Sequence, residues 1–424
     1  MEPQQNSFTK IGRRLNDRVF KRFPPGIWLM MGIDTFVTAG FSVAMPFLAL
    51  YLYDERGVSM SAVGLLFLVG GLCSAATNMV GGMLSDRFGR RRLLLTISII
   101  SVLAYAWLAL MVGFYMPLWL ISLAYVASRG VVGTINPTVS AIVADLSSKD
   151  RLPETFALVR IGGNIGFALA PAIGGYLLSF LSYGWLLGLS GIFYAITAVL
   201  VLFFHRESYQ GSREKVDFRS TVAVSKDRHF LWFAVLCMLL FASMAQMGST
   251  LSIFAVNRMG FSTAQYGLLL TTNGIVVVAL QYLAARITTH MSRDKGLAIG
   301  SLLYALGYLS LGWANSFNMA VGSLVLISLG EVTFAPLSSA VVAESAPDDK
   351  RGRYMGFFGL SSTLGFSLAP LIGGVLLDVF PTQGLYLWGV IAAGGVIAAI
   401  GFYYWGKSSR KQQLTGSLPR PAIR

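Results

Sequence analysis

Long apolar runs recur along the whole chain and limit what it can fold into. Twelve of them alternate with polar segments. Each has the ~20 residues that a helix needs to cross about 30 Å of hydrocarbon. Only 12% of the 424 residues are charged, about half the fraction expected of a soluble protein. Twelve such runs in succession predict an all-α polytopic membrane protein with twelve transmembrane helices.

The apolar runs also predict the boundaries of the parts. We place the helices at 26–52, 61–84, 93–114, 117–141, 155–180, 183–204, 230–255, 264–285, 296–314, 319–343, 352–379 and 383–405. Residues 205–229 form the one long polar connection, which separates an N-terminal six-helix half, 26–204, from a C-terminal half, 230–405. Residues 1–25 and 406–424 are predicted to be polar tails.

The basic residues predict the orientation of the chain. Of its 33 lysines and arginines, 29 lie in the tails, in the 205–229 connection and in the loops on the same side as these. Loops rich in Lys and Arg remain cytoplasmic, so both termini and the central connection are predicted to be cytoplasmic. The expected location is the plasma membrane, in particular a bacterial inner membrane. Because this distribution accounts for the net charge of +14, we predict no nucleic-acid partner.

Residue types that bind metals or perform catalysis do not form a recognisable site. Cys73 and Cys237 both lie inside apolar runs, and the three histidines fall near helix ends without the spacing of metal ligands. The sequence has no P-loop, nucleophile elbow or HExxH motif. We therefore predict no enzyme activity, no cofactor and no metal site. The predicted partners are a small-molecule substrate, protons and the lipid bilayer, with the chain acting as a monomer.

An internal repeat relates the two halves. Residues 137–145 align with 336–344, and 166–175 align with 365–374, both at an offset of 199 residues. The Gly64-Leu-Leu segment of the second helix matches Gly267-Leu-Leu at an offset of 203. Parallel repeats of this kind are typical of transporters in which two halves rock about a binding site near the middle of the membrane.

The loop after the second helix carries a motif, Gly82-Met-Leu-Ser-Asp86-Arg87-Phe-Gly89-Arg90-Arg91-Arg92. It resembles the signature loop of the major facilitator superfamily, and the resemblance covers residues 26–405. In that family the loop latches the two halves together in the outward-facing state. The resemblance implies a one-sided latch, because the matching loop 285–295 lacks the pattern, and the implied latch residues are Gly82, Asp86, Arg87, Gly89, Arg90 and Asp145. A role in topology alone is the alternative for Arg90, Arg91 and Arg92.

The fifth predicted helix contains small residues around a proline. Gly166, Pro171, Gly174 and Gly175 resemble the motif of the drug:proton antiporter branch, which includes LmrP-like and MdtH-like multidrug transporters; Ala170 stands where that branch usually has Gly. Small residues let helices approach closely, and a proline bends a helix. The eleventh helix repeats the pattern with Gly365, Pro370 and Gly373. The motif therefore predicts either gating specific to that branch or packing common to both halves.

Three charged residues inside the apolar runs are the candidates for proton coupling. They are Glu331 in the tenth helix, Asp34 in the first and Arg129 in the fourth, where Arg129-Gly-Val-Val-Gly133 is similar to an element of proton-coupled family members. A low-dielectric environment favours a neutral carboxylic acid, and a nearby arginine favours the carboxylate. Such an acid can bind and release a proton as its surroundings alternate. A structural ion pair or a satisfied polar group is the alternative for each.

Polar amides in other helices are predicted, more weakly, to line a central cavity: Asn136, Asn164, Gln246, Asn273 and Gln281. A few acids inside an otherwise apolar, aromatic cavity would suit lipophilic cations. We therefore predict a secondary active transporter that works by alternating access and exports small amphipathic or cationic compounds in exchange for protons. Another facilitator-type transporter, for a metabolite, an amino acid or a lipid, is the main alternative. A channel is less favoured because it needs neither the latch loop nor the duplicated glycines, and a membrane sensor is less favoured because it would usually carry a sizeable soluble domain.

Overall fold

The structure analysed is a computed structural model that describes residues 23–148, 151–207, 223–288, 291–347 and 350–414. Across these residues the regular structure is helical and contains no strand, so the predicted all-α class is confirmed. Almost all of the predicted N-terminal tail, residues 208–222 of the predicted connection, and the end of the predicted C-terminal tail, 415–424, lie outside the described residues.

Twelve long helices, six in each half, build the described chain. In the first half they are α1, Pro25–Glu55; α2, Met60–Phe88; α3, Arg90–Gly113; α4, Leu118–Leu146; α5, Leu152–Leu177; and α6, Tyr183–Phe204. In the second half they are α7, Arg228–Arg258; α8, Thr263–Thr288; α9, Arg293–Leu311; α10, Phe317–Ser345; α11, Arg351–Val379; and α12, Gly384–Leu414.

Eleven of these helices, counted within the described residues, are long and apolar enough to cross a membrane. The exception is α9, whose 19 residues begin with Arg293, Asp294 and Lys295. These three charges lower the mean hydropathy of a short helix. Because α9 packs along both α10 and α12, it lies in the same layer as its neighbours and completes the polytopic fold.

Several helices continue past the ends of their apolar runs. The longest extension is in α12, which reaches Leu414 although its run ends near 405. There the ammonium group of Lys407 lies 4.6 Å from the ring centre of Tyr403 and 5.8 Å from that of Tyr404. Backbone hydrogen bonds hold a helix together whatever its side chains are, so the apolar run marks the width of the hydrocarbon layer and not the end of the helix.

Two helices are broken at positions that the repeat makes equivalent. In α1 the α-helix stops at Ser42 and resumes at Met45, and in α7 it stops at Met244 and resumes at Thr250 after a 3-10 turn. Pro46 lies at the start of the second segment of α1, where its missing N–H interrupts the helical ladder. The apolar pattern continues through both breaks, so hydropathy alone does not predict them.

The two halves meet through two helix pairs, α2 with α11 and α5 with α8. A glycine faces a carbonyl oxygen in each pair. A Cβ atom at Gly64 of α2 would overlap the carbonyl oxygen of Pro370, and one at Gly267 of α8 would overlap that of Pro171. Only glycine permits so close an approach of two backbones, and the repeat places it in both pairs.

The glycines of α5 serve two different neighbours. Gly166 and Gly174 lie against backbone carbonyl oxygens of α1, whereas Gly175 lies against the carbonyl oxygen of Thr263 in α8. In α11 the equivalent Gly365 and Gly373 lie against α7. One face of α5 therefore packs inside its own half, and the other face forms the interface between the halves.

We expect Gly64→Ala to lower the thermal stability of the protein, because the added methyl group has no room beside Pro370. Overpacking of this kind costs about 1 to 3 kcal/mol. The measurement is thermal unfolding in detergent, followed by intrinsic tryptophan fluorescence. Gly322→Ala in α10 is the matched control, because a Cβ there meets no atom within 4 Å. Equal melting temperatures for the two variants would contradict the close-packing argument.

Candidate functional site

A cavity of about 620 Å³ lies between the two halves, and we call it the central cavity. It is level with both helix breaks, because Met45 and Pro46 of α1 and Met247 and Gly248 of α7 contribute to its wall. Irregular backbone at membrane depth is tolerated where it lines such a cavity. The breaks therefore place unwound backbone from both halves at the same level of the cavity wall.

Glu331 of α10 belongs to the wall of this cavity and is only 9% exposed. Its Oε2 atom accepts a hydrogen bond of 3.0 Å from Nδ2 of Asn273 in α8. The same amide nitrogen lies 2.9 Å from the hydroxyl oxygen of Ser328, one turn earlier in α10. Asn273 thus fixes the carboxyl group at the edge of the cavity, within the second half.

Asp34 of α1 lines the opposite part of the wall, in the first half. A Cβ at Gly163 of α5 would come within 2.6 Å of Oδ2 of Asp34 and within 3.4 Å of the hydroxyl oxygen of Thr38. The missing side chain at Gly163 therefore creates the space that the carboxyl group of Asp34 occupies. The two predicted acids thus belong to one cavity but to different halves.

Two arginines line the central cavity, and the sequence singled out only one of them. The guanidinium carbon of Arg129 lies 4.8 Å from the ring centre of Phe41, in a cation–π arrangement. Arg160 of α5 is exposed to the cavity, and it shares the cavity wall with Glu331 of the other half. Its position one helical turn before Gly163, on the cavity face of α5, is the signal that could have identified it.

The predicted amide residues divide into two groups. Asn136, Asn164 and Asn273 line the central cavity. Gln246 is buried at the break of α7, where its side-chain nitrogen donates a 3.0 Å hydrogen bond to the carbonyl oxygen of Ala369. Gln246 therefore joins α7 to α11, and neither it nor Gln281 is among the residues that form the cavity wall.

The predicted latch region contains a buried ion pair. A guanidinium nitrogen of Arg90 lies 2.7 Å from Oδ2 of Asp145, and both side chains are almost fully buried. Gly89 has a φ of +85°, a conformation that favours glycine, and it separates α2 from α3. Arg87 is exposed, with its guanidinium over the ring of Phe88. The surroundings of Gly82 and the side chain of Asp86 lie outside what the structure describes, so the latch itself stays a prediction.

The second half contains the equivalent ion pair, which the sequence motif did not indicate. Arg293 follows Arg90 by 203 positions, Glu344 follows Asp145 by 199, and their charged atoms are 2.8 Å apart. This pair is well exposed, unlike its counterpart. The pairing is therefore common to both halves, and its burial distinguishes the first half from the second.

The central cavity is closed on one side and open on the other. We call the side where α1 begins and α12 ends the terminal side. The wall residues nearer to it, including Asn78, Asn136 and Arg160, are exposed. On the opposite side the halves touch, since Asn257 donates a hydrogen bond to Asp54 and the ring of Phe47 packs edge-on against Tyr266.

A carboxylate completes this closure. Asp378, near the end of α11, accepts hydrogen bonds from the backbone nitrogens of Met60, 3.1 Å, and Ser61, 2.8 Å, at the start of α2. Ser59 does not cap α2 with its own side chain. An acidic residue of the second half therefore acts as the N-cap of a helix in the first.

Two six-helix repeats around a charged cavity that opens to one side define a membrane transporter. The model of the Major Facilitator Superfamily matches residues 30–265 and 248–422. Together these two matches cover nearly the entire chain. The chain therefore belongs to the major facilitator superfamily, whose members are transporters and not enzymes.

Relatives within the superfamily differ in what they carry. The chain is 23% identical to a Na(+), Li(+), K(+)/H(+) antiporter of Planococcus maritimus, over 80% of this chain and 86% of the antiporter. It is 25% identical to the multidrug resistance protein MdtH of Photorhabdus laumondii, over 86% of this chain and 91% of MdtH. A crystal structure of a POT family transporter superposes with a TM-score of 0.75 at 16% identity and covers 91% of this chain and 96% of that one. The structural likeness supports the fold alone.

We expect Asp378→Asn to open the side opposite the termini, because the amide keeps one acceptor oxygen for the two N–H groups that the carboxylate binds and loses the negative charge at the start of α2. Loss of one such hydrogen bond costs about 1 kcal/mol, which changes the ratio of two conformations about five-fold. The measurement is the distance distribution between spin labels at Leu181 and Asn315, exposed loop positions in different halves on that side.

Glu55→Gln is the control for Asp378→Asn, because Glu55 accepts its hydrogen bond from Tyr115 of the same half. This control should leave the distance distribution unchanged. An unchanged distribution in Asp378→Asn as well would show that the cap does not hold the halves together.

Proposed function

We propose that this transporter exports small amphipathic or cationic compounds in exchange for protons. The observation that carries the proposal is the position of Glu331, a carboxyl group at the edge of the central cavity that is hydrogen-bonded by Asn273. A carboxylate can bind either a proton or the positively charged group of a substrate, and it binds one of them at a time. Competition between the two for one site produces exchange.

The charged residues of the two halves support a sequence of steps. In the open state Glu331 is nearly buried and Arg160 of the other half is exposed. Rocking of the halves would change the distance between these two groups. A closer guanidinium favours the carboxylate and releases the proton, whereas a more distant one favours the protonated acid. Asp34 is a second carboxyl group in the same cavity and is the next candidate for the coupling proton.

The apolar part of the wall supports an amphipathic substrate. Aromatic rings from both halves line the central cavity, and they are Phe41, Phe67, Tyr125, Phe167 and Phe366. Phe67 and Tyr125 are stacked with their ring centres 5.1 Å apart. Aromatic faces bind cations and apolar groups alike, which suits compounds that combine the two. The similarity to MdtH agrees with this substrate class.

We also propose that the terminal side faces the cytoplasm of a cell bounded by a plasma membrane, as the distribution of basic residues predicts. With this orientation the open cavity would accept substrates from the cell interior. The chain is proposed to act as a monomer, since each proposed step uses groups of one chain.

We expect Glu331→Gln to abolish transport driven by a pH gradient, because glutamine cannot release a proton. The measurement uses purified protein in liposomes with an imposed pH gradient, screened against cationic dyes. Exchange of substrate for substrate needs no net proton movement, so it should persist in the variant but require a higher substrate concentration, because glutamine cannot hold the positive charge of the substrate. Glu344→Gln is the matched control, because it makes the same change in the same helix at an exposed position away from the cavity.

Undiminished gradient-driven transport by the Glu331→Gln protein would remove this residue from the proton pathway. The same comparison with Asp34→Asn would then test the second candidate. If the unmodified protein itself moves no dye in response to either direction of the gradient, the antiport proposal fails as a whole.

One observation favours a second candidate function, the transport of a metabolite or amino acid that carries an anionic group. Arg129 and Arg160 balance the charges of Asp34 and Glu331 in the central cavity. A carboxylate or phosphate of the substrate would find a partner in Arg160, the more exposed of the two guanidinium groups.

Arg160→Gln distinguishes the two substrate classes by the sign of its effect. A cationic substrate loses a repulsion, so its KM should fall about two- to five-fold, whereas an anionic substrate loses an attraction and its KM should rise by a similar factor. The measurement is the concentration dependence of uptake into liposomes for dyes and metabolites of each charge. Arg353→Gln, at an exposed position outside the central cavity, is the control.

A further inference from the structure

A second cavity lies on the terminal side, at the outer surface of the first half. It has a volume of about 710 Å³ and is formed where α2 passes into α3, together with the end of α6. None of its wall residues belongs to the central cavity. Because this cavity opens at the ends of membrane-spanning helices, it faces the layer where lipid headgroups lie. We call it the headgroup cleft.

The headgroup cleft is strongly basic. Among the described residues four arginines line it, Arg87, Arg91, Arg92 and Arg206, with a single carboxylate, Glu207. That carboxylate already accepts backbone hydrogen bonds at the start of α3, 3.0 Å from the nitrogen of Arg90 and 3.2 Å from that of Arg91. Across the described residues no carboxylate forms an ion pair with Arg92 or Arg206. The cleft therefore carries positive charge that the described protein does not neutralise.

Two buried nitrogen atoms in the wall of the cleft lack partners. Nε of Arg91 and Nε2 of His205 make no hydrogen bond within the described part of the chain. Burial lowers the pKa of His205 below its usual range; the charge of Glu207 opposes this shift and that of Arg91 adds to it. A lowered pKa favours the neutral ring, so the positive charge of the cleft comes from the arginines. Buried polar atoms without partners are costly, and a ligand with acceptor oxygens would reduce that cost.

The outer edge of the cleft is apolar. Phe88 is 53% exposed and Phe203 is 72% exposed, and both line the cleft beside Leu202. In a membrane protein such exposed rings at helix ends contact lipid. A ligand of this cleft thus meets arginines at one end and a lipid-facing aromatic surface at the other.

We propose that the headgroup cleft binds the phosphate headgroup of an acidic phospholipid. The arginines attract the phosphate and its negative charge, and Phe88, Leu202 and Phe203 contact the acyl chains. A dissolved anion such as inorganic phosphate would use the arginines but gain nothing from the apolar edge. The bound lipid would join the α2–α3 junction to the end of α6, next to the buried Arg90–Asp145 ion pair. This inference does not depend on the transported substrate.

The test is native mass spectrometry of the full chain in detergent, titrated with phosphatidylglycerol. The variant is Arg92→Gln with Arg206→Gln, which removes two charges of the cleft and leaves the predicted latch residues in place. Each basic residue near an anionic lipid surface contributes a similar amount of binding free energy. Removal of two arginines should therefore raise the dissociation constant of phosphatidylglycerol about ten- to thirty-fold. Lys350→Gln with Arg353→Gln removes two exposed charges on the same side of the other half and should change it less than about two-fold.

Two further comparisons keep the test decisive. Arg92→Lys with Arg206→Lys retains the charges and should retain most of the phosphatidylglycerol binding, which separates a loss of charge from a loss of fold. Phosphatidylcholine, which has no net charge, should bind the unmodified protein more weakly than phosphatidylglycerol. The proposal is overturned if the glutamine variant and its control bind phosphatidylglycerol equally, if phosphatidylcholine binds as tightly, or if inorganic phosphate displaces the lipid at equal concentration.

Discussion

The two halves of this transporter meet where a glycine of one half faces the carbonyl oxygen of a proline in the other. Gly64 with Pro370 and Gly267 with Pro171 form the same contact twice, and no side chain intervenes between the backbones. Contacts of this kind bring two helix backbones together without intervening side chains. Both interfaces are built alike, and the central cavity occupies the space between the halves.

The repeat accounts for the arrangement of the helices, whereas the charged residues of the central cavity lie where the two halves differ in sequence. Both halves contain the helix breaks, the π-helical turns at Tyr51–Glu55 and Phe254–Arg258, and the Arg–acid pairs at the terminal side. The charged groups of the cavity do not repeat. At the position equivalent to Asp34 the second half has Cys237, and at the position equivalent to Glu331 the first half has Val132. The symmetry of the helices therefore does not extend to the charged groups between them.

Much of this architecture could be predicted from the sequence, and the errors have physical causes. The sequence pointed to four residues of the cavity wall: Glu331, Asp34, Arg129 and Asn273. A charge or an amide inside an apolar run costs free energy unless it is paired or lines a cavity, and this made the four residues stand out. Arg160 was not identified, because its place near the end of a run fits a side chain that reaches toward water equally well. Gln246 carries the same signal as Asn273, yet it holds α7 to α11. Hydropathy reports that a polar group is in the membrane but not which way it points.

The sequence by itself determined the twelve helices, their division into two related halves and the side on which the basic residues gather, because each of these follows from local composition or from an internal match. Only the tertiary structure decided that Asp34 and Glu331 share one cavity, that Asp378 caps a helix 318 positions away, and that arginines from two separate segments line a second cavity together with a buried histidine. In each case the fold brings residues that are far apart in the chain close together. They depend on the direction in which each helix turns its side chains, which packing fixes and composition does not.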